Sequence, residues 1–555
     1  RAAQGAWRES VVTGRPEMAR TRSGCTRGMA RKRPDGKSGT DRMDEKRNGA
    51  GAAAKESSLY AQLSAYCGSD HYPYHMPGHK RSRAAGGMAQ YYGIDITEID
   101  GFDNLHHAEG ILQKAQQRAN RLYGEEGTET FFLVNGSTCG VLASVMTALR
   151  RGGEILIARN CHKSVYHAAI LQELRLHYYE PPVLEAYGIC GGVDAEEIER
   201  LLGAYPDCGA VVITSPTYEG ILSDVQAVAD AVHARHKILI VDEAHGAHLG
   251  LHESVPPGAL SQGADLVIHS LHKTLPAMTQ TALLHVQGER VDRGRLRRYL
   301  SMLQSSSPSY VLMASMDSCI RYVETHGAER FAFMKRQYLS FCKKVAGCRH
   351  LEIGNAANAG QMSHIAGWDM GKLLICVKNG VLNGRQLYDL LREEYHLQME
   401  MAAERYVLAI MTIMDTEEGW QRLAAALLEI DDRIERGAVT ITARPAETGV
   451  TAAHIPENRT EQPVQKKKES EAEEAGQTAA EAYLGKREEV PLDGAAGRVA
   501  ADFINLYPPG IPLIVPGEVV SEALTEEIRR YMCAGLHVQG VTAEGKIAVT
   551  PDRCR

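Results

Sequence analysis

Ile238-Leu-Ile-Val-Asp-Glu-Ala-His-Gly246 opens as four unbroken apolar residues and closes on two acids, a histidine and a glycine. An apolar run with no polar face reads as a short strand buried on both sides, as parallel α/β sheets contain. The chain around it repeats the pattern. Phe131–Val134, Glu154–Ala158, Ala210–Thr214 and Leu266–His269 are further near-continuous apolar runs of strand length, and segments such as Asp224–Arg235 between them carry helical spacing. Strands alternating with helices predict a mostly parallel α/β sheet. Ligands of such sheets gather at the carboxyl ends of the strands, and five polar clusters fall there.

The first cluster is Asn135-Gly-Ser-Thr-Cys-Gly140, ahead of a helix predicted to begin near Val141. Free backbone N–H groups and the positive helix end suit a phosphate there, although Ser137 and Thr138 can serve simply as caps. The second is Asn160-Cys-His-Lys-Ser164, where His162 can stack on a flat ring or be a partly buried structural histidine. The third, Thr214-Ser-Pro-Thr-Tyr-Glu-Gly220, reads as a tight turn that aims side chains across a pocket, or as a turn alone. The fourth is Asp242–Gly246 itself, and the fifth is Ser270-Leu-His-Lys-Thr274, whose Lys273 lies 31 residues beyond Asp242.

An acid at the mouth of a buried strand and a lysine in a Ser/His/Thr-rich turn are what pyridoxal phosphate chemistry needs. The lysine forms a Schiff base with the aldehyde, and the acid keeps the pyridine nitrogen protonated. Ser270 and His272 flank the lysine with donors for a phosphate. For the acid and lysine alone, a strand-end Asp and a surface Lys that never meet is an equal alternative; five clusters at successive strand ends favour one cofactor site. Asp-Glu-Ala-His also occurs as the metal-binding string of a helicase class, which requires a G-x-x-x-x-G-K-[ST] phosphate loop. The one Gly-Lys-Ser, Gly36–Ser38, has Arg31 where the first Gly should stand, so a nucleotide-driven motor is set aside.

At 555 residues the chain exceeds a single core, and several domains are expected. With 44% hydrophobic and 24% charged residues it reads as globular, and a net charge of -7 offers no basic field for nucleic acid. No apolar run approaches the roughly 18 residues of a membrane helix. The 12 cysteines include no C-x-x-C pair, so reduced thiols in a cytoplasmic protein are expected. Residues 1–50 carry ten Arg and three Lys against six acids, with Trp7 their single aromatic. They read as a disordered extension, or as sequence upstream of a start at Met29 or Met43, rather than a transit peptide. Residues 443–488, rich in Glu, Lys, Thr and Ala, read as a flexible linker.

These motifs resemble the Orn/Lys/Arg decarboxylases, a branch of the fold-type-I pyridoxal phosphate enzymes. The likeness rests on His75-Met-Pro-Gly-His-Lys80, Asn135–Thr138, Cys161–Ser164, Ser215–Gly220, Asp242–Gly246, Ser270–Lys273 and Ser305-Ser-Ser-Pro308. It continues in Tyr507-Pro-Pro-Gly-Ile-Pro-Leu-Ile-Val-Pro-Gly-Glu518, which general aminotransferases do not carry, and spans about residues 55–442 and 489–555. The resemblance implies an aspartate aminotransferase-like fold with a mostly parallel large-domain sheet, a small α/β domain and a separate C-terminal α+β domain. The corresponding spans are 51–89 for an N-terminal segment, 90–323 for the cofactor-binding domain, 324–442 for the small domain and 489–555 for the C-terminal decarboxylase domain.

Carried over by residue, it implies that Lys273 holds the cofactor covalently, Asp242 meets the ring nitrogen and His162 stacks on the ring. Ser137, Thr138, Ser270 and His272 would hold the phosphate, and His245 would lie near the phenolic oxygen, where larger relatives often have Trp. Lys273 or His162 would return the proton to Cα. Ser305 would reach the phosphate of a neighbouring subunit of a homodimer or higher oligomer, and Glu518 would meet the distal cation of the substrate. No metal is expected. No receiver-like wing is read ahead of the core, which favours the short, biosynthetic type of arginine decarboxylase making agmatine for polyamines. Lysine, ornithine and another fold-type-I reaction such as aminotransfer stay open, as does a catalytically dead member serving as a binding protein.

Overall fold

The computed structural model describes residues 57–124, 127–354, 364–378, 380–439, 477–506 and 511–551, the side chains of 83–85 excepted. The expected extension 1–50, most of the expected linker and the start of the Tyr507 motif lie outside these residues.

Seven strands form the main sheet: β1 (Glu129–Leu133), β2 (Glu154–Ala158), β3 (Arg175–Tyr179), β4 (Cys208–Thr214), β5 (Ile238–Asp242), β6 (Leu266–Ser270) and β7 (Ala282–Val286). Their spatial order is β1-β7-β6-β5-β4-β2-β3. β7 runs antiparallel to both neighbours, and the remaining pairings are parallel. The sheet is the mostly parallel one its apolar runs predict. Ile155, Val211, Ile240 and Val267 are sealed within it, each contributing roughly 1.5–3 kcal/mol of burial. β3 and β7 were not read as strands. Arg-Leu-His-Tyr-Tyr is an edge strand with polar, half-exposed positions, and Ala-Leu-Leu-His-Val is built largely from residues that favour helix.

The helix after β1 spans Gly136–Ala148, beginning at Gly136 rather than near Val141. The Gly-Ser-Thr-Cys-Gly string is therefore its first turn, not a loop ahead of it. Packing overrides the weak helix propensity of those residues. A Cβ on Gly140 would stand 2.7 Å from Leu133 Cδ1 and 3.2 Å from Ile268 Cγ2, so only glycine lets this turn press against β1 and β6.

A second sheet of four antiparallel strands runs in the order Leu351–Ile353, Lys372–Val377, Tyr406–Ile410, Met401–Ala402. A 36-residue helix, Tyr310–Val345, crosses the expected boundary at 323/324, so the two bodies share one rigid rod. The C-terminal part pairs Glu488–Pro491 with Lys546–Val549 and holds three strands, Ile504–Leu506, Ile511–Ile514 and Val538–Gln539, with helix Glu522–Cys533. The helix Ala479–Leu484 falls inside the expected flexible linker. Thr478 and Glu481 close a capping box on it, and the Tyr483 ring packs 5.5 Å from Phe503; a capped helix with an aromatic anchor orders this stretch. No helix among the described residues is long and apolar enough to cross a membrane.

Candidate active site

A cavity of about 990 Å³ opens at the carboxyl ends of β2, β4 and β5. Ser137 and Thr138 line it from the first helical turn, with His162, Asp242, His245, His272 and Lys273. Seven predicted site residues, drawn from four segments of the chain, thus share one space. Each stands there for a local reason: a strand that ends sealed on both faces leaves its next residues at the sheet rim, and helices start there with unspent N–H groups.

Asp242 is the last residue of β5 and is 5% exposed, and its Oδ1 accepts the Ala244 N–H at 3.1 Å. Burial raises its carboxyl above the ordinary value, and Lys273, when charged, acts against that rise. Lys273 sits in the short helix Leu271–Thr274, with its amine lowered mainly by burial. His162 caps the helix Lys163–Leu171. Its Nδ1 accepts the Ser164 N–H at 3.2 Å and lies 2.8 Å from Ser164 Oγ, so the ring proton belongs on Nε2. Burial, with Lys273 and Lys163 nearby, lowers His162 to about 4, leaving an uncharged ring at neutral pH.

His245 is 7% exposed, and its Nε2 lies 3.0 Å from Lys273 Nζ. The Tyr218 ring tilts against it at 4.5 Å, and the Tyr218 hydroxyl donates to Glu400. His272 Nδ1 donates to the Thr281 carbonyl at 3.0 Å. Ser270 is fully buried and its hydroxyl has no hydrogen-bond partner among the described residues.

Ser270, Ser305 and Glu518 do not line this cavity. Ser305 is exposed, and its N–H donates to Asn135 Oδ1 at 3.3 Å, beside the first helical turn of its own chain. Glu518 departs from the expected contact with a distal substrate cation. Its Oε2 accepts from Arg159 at 2.9 Å and from the Val515 N–H at 3.0 Å. Arg159 is mostly buried against the Tyr178 ring at 5.3 Å, and a buried guanidinium needs a carboxylate partner.

The sequence reading missed Lys372, Glu219, Glu400 and Glu404. Glu219, Glu400 and Glu404 line the cavity. Glu219 is buried, accepts from Tyr406 Oη at 3.0 Å and is pushed up by desolvation. Lys372 Nζ lies 2.8 Å from His245 Nδ1. A lysine opening Lys-Leu-Leu-Ile-Cys-Val looks like an exposed strand start, and no local signal marks it otherwise.

The residues fit pyridoxal phosphate. A 13-residue helix opens on Ser137 and Thr138, a buried serine hydroxyl at Ser270 lacks a partner among the described residues, and a buried carboxylate and an amine share the cavity. An orphaned buried hydroxyl is costly unless a ligand satisfies it.

Residues 57–372 match the family described as Orn/Lys/Arg decarboxylase, major domain, and residues 458–539 its C-terminal domain. The chain is 35% identical over 489 residues to the uncharacterized protein YaaO of Bacillus subtilis, covering 87% of this chain and 95% of that one. It is 30% identical over 499 residues to an arginine decarboxylase of Halalkalibacterium halodurans, covering 88% and 95%. The solved lysine decarboxylase of Francisella novicida superposes with a TM-score of 0.72 at 19% identity, covering 89% of this chain and 80% of that one, a likeness of fold.

Proposed function

The chain belongs to the Orn/Lys/Arg decarboxylase family of pyridoxal phosphate-dependent carboxy-lyases, and from that premise we propose that it converts arginine to agmatine and CO₂. The observation that carries the choice of arginine is the 30% identity, over nearly its whole length, to a relative named arginine decarboxylase. Glu400 and Glu404 in the cavity wall support it, because carboxylates suit the planar fork of a guanidinium.

Lys273 would hold the cofactor covalently, with Asp242 toward its ring nitrogen and His162 toward its ring. Ser137, Thr138, Ser270 and His272 would hold its phosphate, and His245, beside Lys273, would serve its phenolic oxygen. When bound, pyridoxal phosphate supplies the electron sink for the pair left by departing CO₂. Asp242, desolvated and acceptor-only when ionised, holds a proton on the nitrogen it faces. His162, neutral and tied through Nδ1, presents a flat ring and is a poor acid near neutrality, so the proton for Cα would come from Lys273 once its released amine has taken up the proton that the substrate's ammonium gives up. The acidic wall positions the substrate's far end, the role expected of Glu518.

Residues 90–323 form the cofactor-binding domain, 324–442 the small domain and 489–555 the C-terminal domain. The working unit is a homodimer whose sites lie at the subunit interface. The decisive experiment measures CO₂ release from arginine, lysine and ornithine in parallel on the purified yellow protein. Arginine should be turned over fastest, with agmatine formed. Faster release from lysine or ornithine overturns the substrate, and transfer of the amino group without CO₂ overturns the reaction.

A further inference from the structure

Lys372 is a lysine sealed inside the protein, 2% exposed at the start of the strand Lys372–Val377. Its Nζ lies 2.8 Å from His245 Nδ1, while His245 Nε2 lies 3.0 Å from Lys273 Nζ. One imidazole therefore stands between two amines, within hydrogen-bond reach of both.

A neutral imidazole has one N–H and one lone pair, and an ammonium has three donors and no lone pair. With both lysines charged, one ammonium would face an N–H it cannot accept, beside a like charge. Around a neutral His245 both hydrogen bonds form only when at least one lysine is a free amine, so the pair can carry one positive charge and not two. The surrounding groups decide which lysine carries it. Lys372 faces Asp369, Glu400 and Glu219, with the Tyr218 ring 5.9 Å from its Nζ. Asp369 is fully buried and accepts from His248 Nε2 at 3.0 Å and from the Gly371 N–H at 2.8 Å; its carboxyl is held below the ordinary value by the partners that outweigh its burial, chiefly His248 and then Lys372. Burial drives Glu219 toward neutrality, leaving Asp369 and Glu400 as counter-charges. Lys273 faces Asp242 and Glu400, with His162 and His272 nearby. Of these, Asp242 is the group that the bound cofactor's ring nitrogen claims under the reading above. The positive charge is thus best placed on Lys372. Burial brings that amine down only to about 8, so it keeps its proton at neutral pH.

We propose that Lys372 is a positioning residue: by donating to His245 Nδ1 it fixes the Nε2–H tautomer and holds Lys273 as an uncharged nucleophilic amine. The inference rests on the reading of Lys273 as the cofactor lysine. In sequence the two ends of this relay are 99 residues apart, and only the approach of the second sheet to the main sheet's rim joins them.

The test mixes the full chain, freed of cofactor, with pyridoxal phosphate and follows the rate at which the visible band grows between about pH 6 and 9. Relative to wild type, Lys372→Met should lose close to tenfold in rate for each pH unit below neutrality, because Lys273 gains a proton once the lock is gone. Lys372→Arg, which keeps a permanent donor, should follow the wild-type profile below about pH 8, where Lys372 itself is charged. A Lys372→Met profile that tracks wild type overturns the proposal and leaves the cofactor reading intact. ¹⁵N-histidine spectra of the wild-type chain provide a second measurement that needs no variant to fold. They should show His245 protonated at Nε2 and bare at Nδ1; the opposite tautomer or an imidazolium overturns the proposal. Failure of the band in wild type would instead remove the cofactor reading, and the spectra would still decide the state of His245.

Discussion

Asp242 and Glu243 are neighbours at one strand end, both almost fully buried, and they belong to opposite kinds of environment. Asp242 faces the cavity, whose wall includes Asn160, and the Asn160 Oδ1 has no hydrogen-bond partner among the described residues. Glu243 faces a closed chain of contacts. Its Oε1 accepts the Ala259 N–H at 2.9 Å and its Oε2 lies 2.7 Å from His269 Nε2. His269 Nδ1 meets His285 Nε2 at 3.1 Å, His285 Nδ1 meets Thr130 Oγ1 at 2.8 Å, and that hydroxyl reaches Asn120 Oδ1 at 3.0 Å. Burial raises Glu243 well above the ordinary carboxyl value. Starting from a protonated Glu243, every donor along this chain meets an acceptor. Burial of ionisable groups is common to both regions. What separates them is unspent hydrogen-bonding capacity opening onto a cavity, which is where a ligand gains most.

The contrast can be broken by substitution. Lys273→Ala should remove the visible cofactor band and all measurable turnover together; a band that persists would show that another lysine carries the cofactor. Asp242→Ala should lower turnover by two or more orders of magnitude, about 3 kcal/mol, with near-normal turnover removing its role at the ring nitrogen. Glu243→Ala should do the reverse. It leaves buried His269 without its partner, so the denaturation midpoint should drop by roughly 1–3 kcal/mol of stability, while turnover by the folded fraction stays within a few-fold of wild type. A turnover loss matching that of Asp242→Ala would erase the distinction between the two regions.

The smallest effect sharpens the comparison through pH. His269 is lowered to about 3 and His162 to about 4, chiefly by burial, from an ordinary 6.5. Below pH 6.5 the unfolded chain binds protons that the folded chain refuses, so stability falls on acidification, by about 1.4 kcal/mol per pH unit for each such histidine. The loss should level off as pH passes through each folded value. Denaturant titrations at stepped pH should show a shallower acid slope in His269→Gln; an unchanged slope would mean that histidine is charged in the fold.

Much of this molecule could be read along the chain because its signals are local. Ile238–Val241 is apolar without interruption, so a buried strand follows from four residues, and Asp242 must then lie at the rim. Asn135–Gly140, His162 and Lys273 were found by the same logic. The reading failed where the decisive neighbour is remote. β7 holds helix-favouring residues and is a strand because β1 and β6 flank it. Glu518 was expected at the distal cation of the substrate and is engaged by Arg159, 359 residues away. Lys372 was not singled out at all and meets an imidazole 127 residues away.

By itself, then, the order of residues determined which strands are sealed and which chemical groups stand at their ends, since periodicity and turn chemistry act over a few residues. Tertiary structure alone decided which of those groups have partners and which carry charge. Desolvation and hydrogen bonding depend on what is brought within about 3 Å in space, and chain separation sets no limit on that.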